Sequence, residues 1–232
     1  MPTIEGIAFD LEGTVVDVEF AHHRAFLMVC AEIGHPMTFD QALERVPGFI
    51  GGGDNIISAK LHELPCVTQT AEELRARKME HYERLLKEIV IRPRPGFAEA
   101  FAEIRRLGLP TAIGSLTTTD QAMTLLDRSG VGKLFGGDNI VLKEHVRHVK
   151  PASDVFLETA RRMGVEPANQ IVFEDSPRGV RAAVAAGSRA IGMPVYTMPR
   201  AQHELIDAGV SRIFWDWREI AINALLENLN SG

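Results

Sequence analysis

The sequence predicts an α/β chain: a Rossmann-like, doubly wound parallel sheet core with an inserted α-helical cap domain. Three observations point there. A short apolar run, Ile4 to Phe9, ends at the acid Asp10. Residues 18–91 then form a helical block without a convincing strand. Beyond it, strand-like runs alternate with helical segments of about ten residues, the pattern of a parallel sheet covered on both faces.

Each element has a local reason. Ile4 to Phe9 reads as a buried strand with an acid at its C-terminal tip. Residues 19–34 place apolar side chains at helical spacing and stop at Gly34. Residues 38–46 and 54–64 read as two more helices, and 71–91 as a long, charge-rich one. Arg92-Pro93-Arg94-Pro95-Gly96 breaks the chain and predicts a hinge. Helix 97–107 stops at Gly108, strand 110–114 follows, and helix 119–129 comes next. A short strand near 138–142 precedes helix 152–163, and strand 170–174 precedes helix 177–186. Strand 188–192, a weak strand at 212–215 and a C-terminal helix, 216–228, complete the pattern. Because the first strand precedes the helical block and the rest follow it, the block is an insertion. The expected domains are a core of 1–17 with 92–232 and a cap of 18–91.

Composition excludes several classes of function. The 25 Lys and Arg against 31 Asp and Glu give a net charge of −6, with no basic run to grip nucleic acid. Aromatic residues are 6%, too few for a base-stacking platform. Cys30 and Cys66 make no disulfide framework and have no zinc-ligand neighbours. No stretch reaches the roughly 18 apolar residues of a membrane span. The acidic start, MPTIEGIAFD, does not read as a signal peptide, so the expectation is a cytoplasmic monomer or weak homodimer. Gly51-Gly52-Gly53 follows no strand, which makes it a cap loop and not a dinucleotide fingerprint.

The chemistry-bearing residues fall at element boundaries. Open α/β sheets bind ligands at the carboxyl ends of their strands, and Asp10, Ser115 and Asp175 all stand at expected strand tips. Taken alone, each has a structural alternative: Asp10 as a turn former, Ser115 as a helix N-cap, Lys150 as a solvated surface charge. Glu174 and Asp175 are different. Adjacent acids at a buried strand tip face desolvation and mutual repulsion, and a hard cation such as Mg²⁺ relieves both. A carboxylate, a hydroxyl, a lysine and an acidic pair in this order suit phosphoryl transfer.

The motifs DLEGT (10–14), Ser115, Lys150-Pro151 and FEDSPRGVRAAVAAG (173–187) resemble the haloacid dehalogenase superfamily. Within it, the chain is most similar to the β-phosphoglucomutase-like and phosphatase members with a helical cap after the first motif. The resemblance implies a Mg²⁺-dependent phosphatase for a small phosphorylated metabolite, a sugar phosphate or phosphoglycolate-like ester, acting through an aspartyl-phosphate. It makes Asp10 the nucleophile and Glu12 the general acid/base. Ser115, the backbone at Leu116 and Lys150 hold the phosphate, and Lys150 also offsets the charge on Asp10. Asp10, Glu12 through its carbonyl, Glu174 and Asp175 form the metal site. Glu12 departs from the aspartate most members carry, which leaves a sugar phosphomutase and a low-turnover phospho-ligand binder as alternatives. In the cap, His22 and Lys78 match substrate positions of sugar-phosphate members, and both also read as ordinary packing or surface residues. The loop GFIGGGDN (48–55) lacks the arginine that grips a second phosphate in the mutases, with Arg24 as a possible substitute.

Overall fold

The computed structural model describes residues 3–50 and 52–231, so Gly51 of the glycine loop lies outside the described residues. In chain order the elements are β1 (Gly6–Phe9), α1 (Glu19–Glu32), α2 (Phe39–Arg45), α3 (Asp54–His62), α4 (Ala71–Glu88), α5 (Phe97–Arg106) and β2 (Thr111–Gly114). There follow α6 (Thr119–Ser129), β3 (Ile140–Val141), α7 (Asp154–Met163), β4 (Gln170–Glu174) and α8 (Pro177–Ala185). The chain ends with β5 (Arg189–Gly192), α9 (Pro199–Ala208), β6 (Arg212–Ile213) and α10 (Ile222–Ser231). Two compact units result: Met1–Asp17 with Ile91–Gly232, and Val18–Val90.

The first unit is a parallel sheet of order β3-β2-β1-β4-β5-β6. Strands β1 and β4 are buried along their whole length, because helices cover both faces. Strand alternation divides the core in two. Ala8, Val172 and Ala190 pack with Val155, Phe156 and Val180 on one face. On the other, Phe9 stacks on Phe173 with centroids 5.6 Å apart and meets Phe97 and Trp217 at 5.6 and 5.7 Å. Each such buried aromatic contributes about 1.5–3 kcal/mol of transfer free energy.

Two places depart from the sequence reading. Helix α9 was not expected, although Pro199 at its first turn and Gly209, at φ 100°, just past its end are ordinary start and stop signals. The C-terminal helix begins at Ile222 because a 3₁₀ turn, Trp217–Glu219, comes first. Trp217 is buried there and donates its indole N–H to the Thr14 carbonyl at 3.0 Å, which draws the chain inward. Within the segment 92–96, Pro93 bridges Val16, and the Arg94 N–H donates to the Val15 carbonyl at 2.8 Å.

The second unit is a bundle of α1–α4 around Phe26, Val29, Phe49, Ile57, Leu61 and Leu74. Thr38 and Thr70 start α2 and α4 with reciprocal capping boxes to Gln41 and Glu73. No described helix is long and apolar enough to cross a membrane.

Candidate active site

Register builds the site. Phe9 of β1 lies opposite Ile113 of β2 and Phe173 of β4. The Asp10 N–H extends the ladder by donating to the Phe173 carbonyl at 2.9 Å. Asp10, Ser115 and Glu174 therefore leave three neighbouring strands at one edge of the sheet, its carboxyl edge.

Lys150 ties that edge together. Its buried ammonium donates to Asp10 Oδ1 at 2.5 Å, Glu174 Oε1 at 2.8 Å and the Gly114 carbonyl at 3.0 Å. All three of its protons are used. Arg178, from α8, donates to the Lys150 carbonyl at 2.5 Å and so holds its backbone. Burial alone would lower the lysine's proton affinity, but Asp10 and Glu174 raise it above the ordinary value, so it stays charged. Burial pushes Asp10 up to about 7; Lys150 opposes this, while Glu174 and Glu12 reinforce it.

Glu174 is fixed from every side. Its Oε2 accepts from the Ser176 N–H at 2.7 Å and hydroxyl at 2.9 Å. The same Ser176 hydroxyl caps α8 by accepting from the Gly179 N–H at 3.1 Å. A Cβ at Gly179 would lie 1.6 Å from Glu174 Oε1, so only glycine leaves room for this carboxylate. Gly13 makes the matching allowance: its φ is 82°, and a Cβ there would meet Asp175 Oδ2 at 2.3 Å.

The donor set fits a hard divalent cation. Oxygens of Asp10, Glu174 and Asp175 all lie within 4.8 Å of one another. Among the described contacts Lys150 is the cation bonded to both Asp10 and Glu174. The two glycine cradles keep that space open for the carboxylates.

On the β2 side, a hydroxyl chain meets the first loop. Thr117 Oγ1 donates to Glu12 Oε2 at 2.7 Å and lies 2.9 Å from Ser115 Oγ. Ser115 does not cap a helix: α6 has Thr118 as its N-cap, and the Ser115 hydroxyl turns inward. Leu116 sits between them, partly exposed, on the strand-to-helix loop. Thr117 escaped the sequence reading because nothing distinguishes it within Thr117-Thr118-Thr119.

Arg94 supports the same edge. It is buried, and its guanidinium donates to the carbonyls of Gly13 at 2.7 Å, Met193 at 2.5 Å, Pro194 at 3.3 Å and Trp215 at 2.6 Å. One planar group thus joins the loop after β1 to the exits of β5 and β6.

The helical unit holds a separate polar cluster. Lys78 is fully buried, and its ammonium donates to His22 Nδ1 at 2.6 Å and Asp54 Oδ2 at 2.7 Å. It also lies 4.8 Å from the Tyr82 ring centroid, against which His22 stacks at 3.8 Å. An ammonium can only donate, so His22 Nδ1 is the acceptor nitrogen. Asp54 was not foreseen. His23, the neighbour of His22, is instead a core residue that donates from Nε2 to the Phe49 carbonyl at 2.9 Å.

Against known proteins, residues 4–187 match the family model of haloacid dehalogenase-like hydrolases. The chain belongs to that family. It is similar to protein CbbY of Cereibacter sphaeroides, 32% identical over 225 residues, with 94% of each chain covered. It is also similar to fructose-1-phosphate phosphatase YqaB of Escherichia coli, 32% identical over 186 residues, covering 80% of this chain and 94% of that one. A crystal structure of a CbbY variant from Rhodobacter sphaeroides with xylulose-(1,5)-bisphosphate superimposes with a TM-score of 0.71 at 26% identity. That match covers 94% of this chain and 97% of the other. This haloacid dehalogenase-like chain is an enzyme, a hydrolase of phosphoric monoesters.

Proposed function

We propose that this hydrolase removes phosphate from a small phosphorylated carbohydrate in two steps through Asp10, with Mg²⁺ as its cofactor. The observation that carries the reading is the buried bridge from Lys150 to Asp10 and Glu174, beside Asp175, at the carboxyl edge of the sheet. The substrate class is supported by similar proteins: one is named for fructose 1-phosphate, and another holds xylulose-(1,5)-bisphosphate.

In the first step a carboxylate oxygen of Asp10 attacks phosphorus, and the bond to the ester oxygen breaks. Glu12 gives its proton to the departing alkoxide. In the second step Glu12 takes a proton from water as that water's oxygen attacks phosphorus. The bond to Asp10 breaks, phosphate leaves, and both carboxyl groups return to their starting states. Ser115 and the Leu116 backbone bind the phosphoryl oxygens, while Lys150 sets its positive charge against them and its hydrogen bond orients the Asp10 carboxyl. Asp10, Glu174, Asp175 and the Glu12 carbonyl would hold Mg²⁺, which would supply positive charge against the phosphoryl oxygens and favour ionised Asp10. The core unit carries this chemistry. The helical unit, through His22 and Lys78, governs which ester is accepted.

The test is phosphate release from a panel of sugar phosphates, with and without Mg²⁺, for wild type and Asp10→Asn. Mg²⁺-dependent release that falls by about 10³-fold or more in the variant supports the reading. Release by Asp10→Asn at the wild-type rate would remove Asp10 as the nucleophile.

A further inference from the structure

Glu12 reaches across the site to a partner on another strand. It lies on the loop after β1, and its Oε2 accepts from the hydroxyl of Thr117, on the loop after β2, at 2.7 Å. A glutamate side chain has several rotamers' freedom to lose on being fixed. A group that must meet a departing oxygen cannot keep that freedom, since misplacement by about 1 Å costs on the order of 10²-fold.

Thr117 is suited to fix it. The residue is buried, and its own N–H donates to Ser115 Oγ at 3.3 Å. Its single hydroxyl proton goes to Glu12. The 2.9 Å contact between the two hydroxyls therefore has Ser115 as donor and Thr117 as acceptor. If Ser115 turns its proton toward a bound phosphate, the bond from Thr117 to Glu12 is still made. A hydroxyl can also accept, so it holds Glu12 equally well once that carboxyl carries a proton.

We propose that Thr117 is a positioning residue for Glu12, aiming its carboxyl at the oxygen that leaves with the alcohol. This rests on the reading of Glu12 as the general acid/base. Because the role concerns proton delivery to the leaving group, it must depend on how much the leaving group needs a proton. A sugar alkoxide needs one, whereas p-nitrophenolate does not.

The experiment measures first-turnover release of alcohol from the best sugar phosphate and of phenol from p-nitrophenyl phosphate. The proteins are wild type, Thr117→Val, Thr117→Ser and Glu12→Gln, each checked by its melting temperature. Thr117→Val keeps the shape of the side chain and removes only the hydroxyl. The expected result is a fall of about 10- to 100-fold in the sugar-to-aryl rate ratio for Thr117→Val. Thr117→Ser should recover the ratio to within about threefold, and Glu12→Gln should show the same selectivity as the valine variant or a stronger one. Equal loss on both esters in Thr117→Val, or no loss on either while Glu12→Gln stays selective, overturns the positioning role. A Glu12→Gln variant that does not discriminate between the esters overturns the acid/base reading itself.

Discussion

Gly179 and Glu174 stand so close that one added carbon on the glycine would lie 1.6 Å from the glutamate's Oε1. The glycine opens the first turn of α8, and the glutamate ends β4. The helix start and the acidic strand tip are thus one device, joined by Ser176, which caps the helix with the hydroxyl it donates to Glu174.

Gly179→Ala should therefore expel the Glu174 carboxylate from its place beside Lys150. Helix propensity alone favours alanine by up to about 1 kcal/mol. The expected outcome is the opposite sign, a loss of about 1–3 kcal/mol by overpacking, with turnover down at least about tenfold. Urea denaturation and kcat on one phosphate ester check both.

Magnesium should stabilise the fold through the same carboxylates. A ligand at a hundred times its Kd adds about 2.7 kcal/mol to a protein that binds it only when folded. The melting temperature of wild type should rise on titration with Mg²⁺ and fall back with a chelator. Asp175→Asn should rise much less, because it removes one of the three carboxylates gathered within 4.8 Å. An equal rise in both proteins would place the ion elsewhere.

Burial lowers the imidazole of His23 from 6.5 to about 4, although its bond to the Phe49 carbonyl works in the other direction. The unfolded chain thus binds more protons than the folded one between pH 4 and 6.5. Stability contributed by this residue is complete above pH 6.5 and is lost as the pH falls toward 4. At about 1.4 kcal/mol per tenfold change in proton affinity, the loss amounts to about 3 kcal/mol. Denaturant midpoints across that range should fall with acid in wild type and fall less in His23→Phe.

Arg94 supplies donors to four carbonyls, those of Gly13, Met193, Pro194 and Trp215. Arg94→Ala leaves these acceptors without their donor, at about 1–3 kcal/mol for each that stays dry. An overall loss of at least about 3 kcal/mol is expected in denaturant unfolding. Arg94→Lys should recover only part of it, since a single ammonium cannot reproduce a planar fork.

Much of this molecule was legible in the chain. The run Ile4 to Phe9, the alternation after residue 96 and the acids at the ends of apolar runs are local patterns. They sufficed for a parallel sheet with a helical insertion. They also marked Asp10, Ser115, Lys150, Glu174 and Asp175, because each falls where an element begins or ends. Helix α9 too is bracketed by local signals, Pro199 and Gly209. At Trp217, by contrast, burial against Thr14 overrides helical spacing.

By itself, then, the sequence determined the order of strands and helices and which acids and hydroxyls stand at their ends, since hydrophobic period and turn residues act over a few positions. Only the tertiary structure decided that β1 lies between β2 and β4, which sets Asp10 beside Glu174. It alone decided that Thr117 meets Glu12, that Asp54 meets Lys78, and that Gly179 must lack a side chain. Those facts are distances between residues far apart in the chain. Strand register and the packing of buried side chains set them, and no local pattern encodes either.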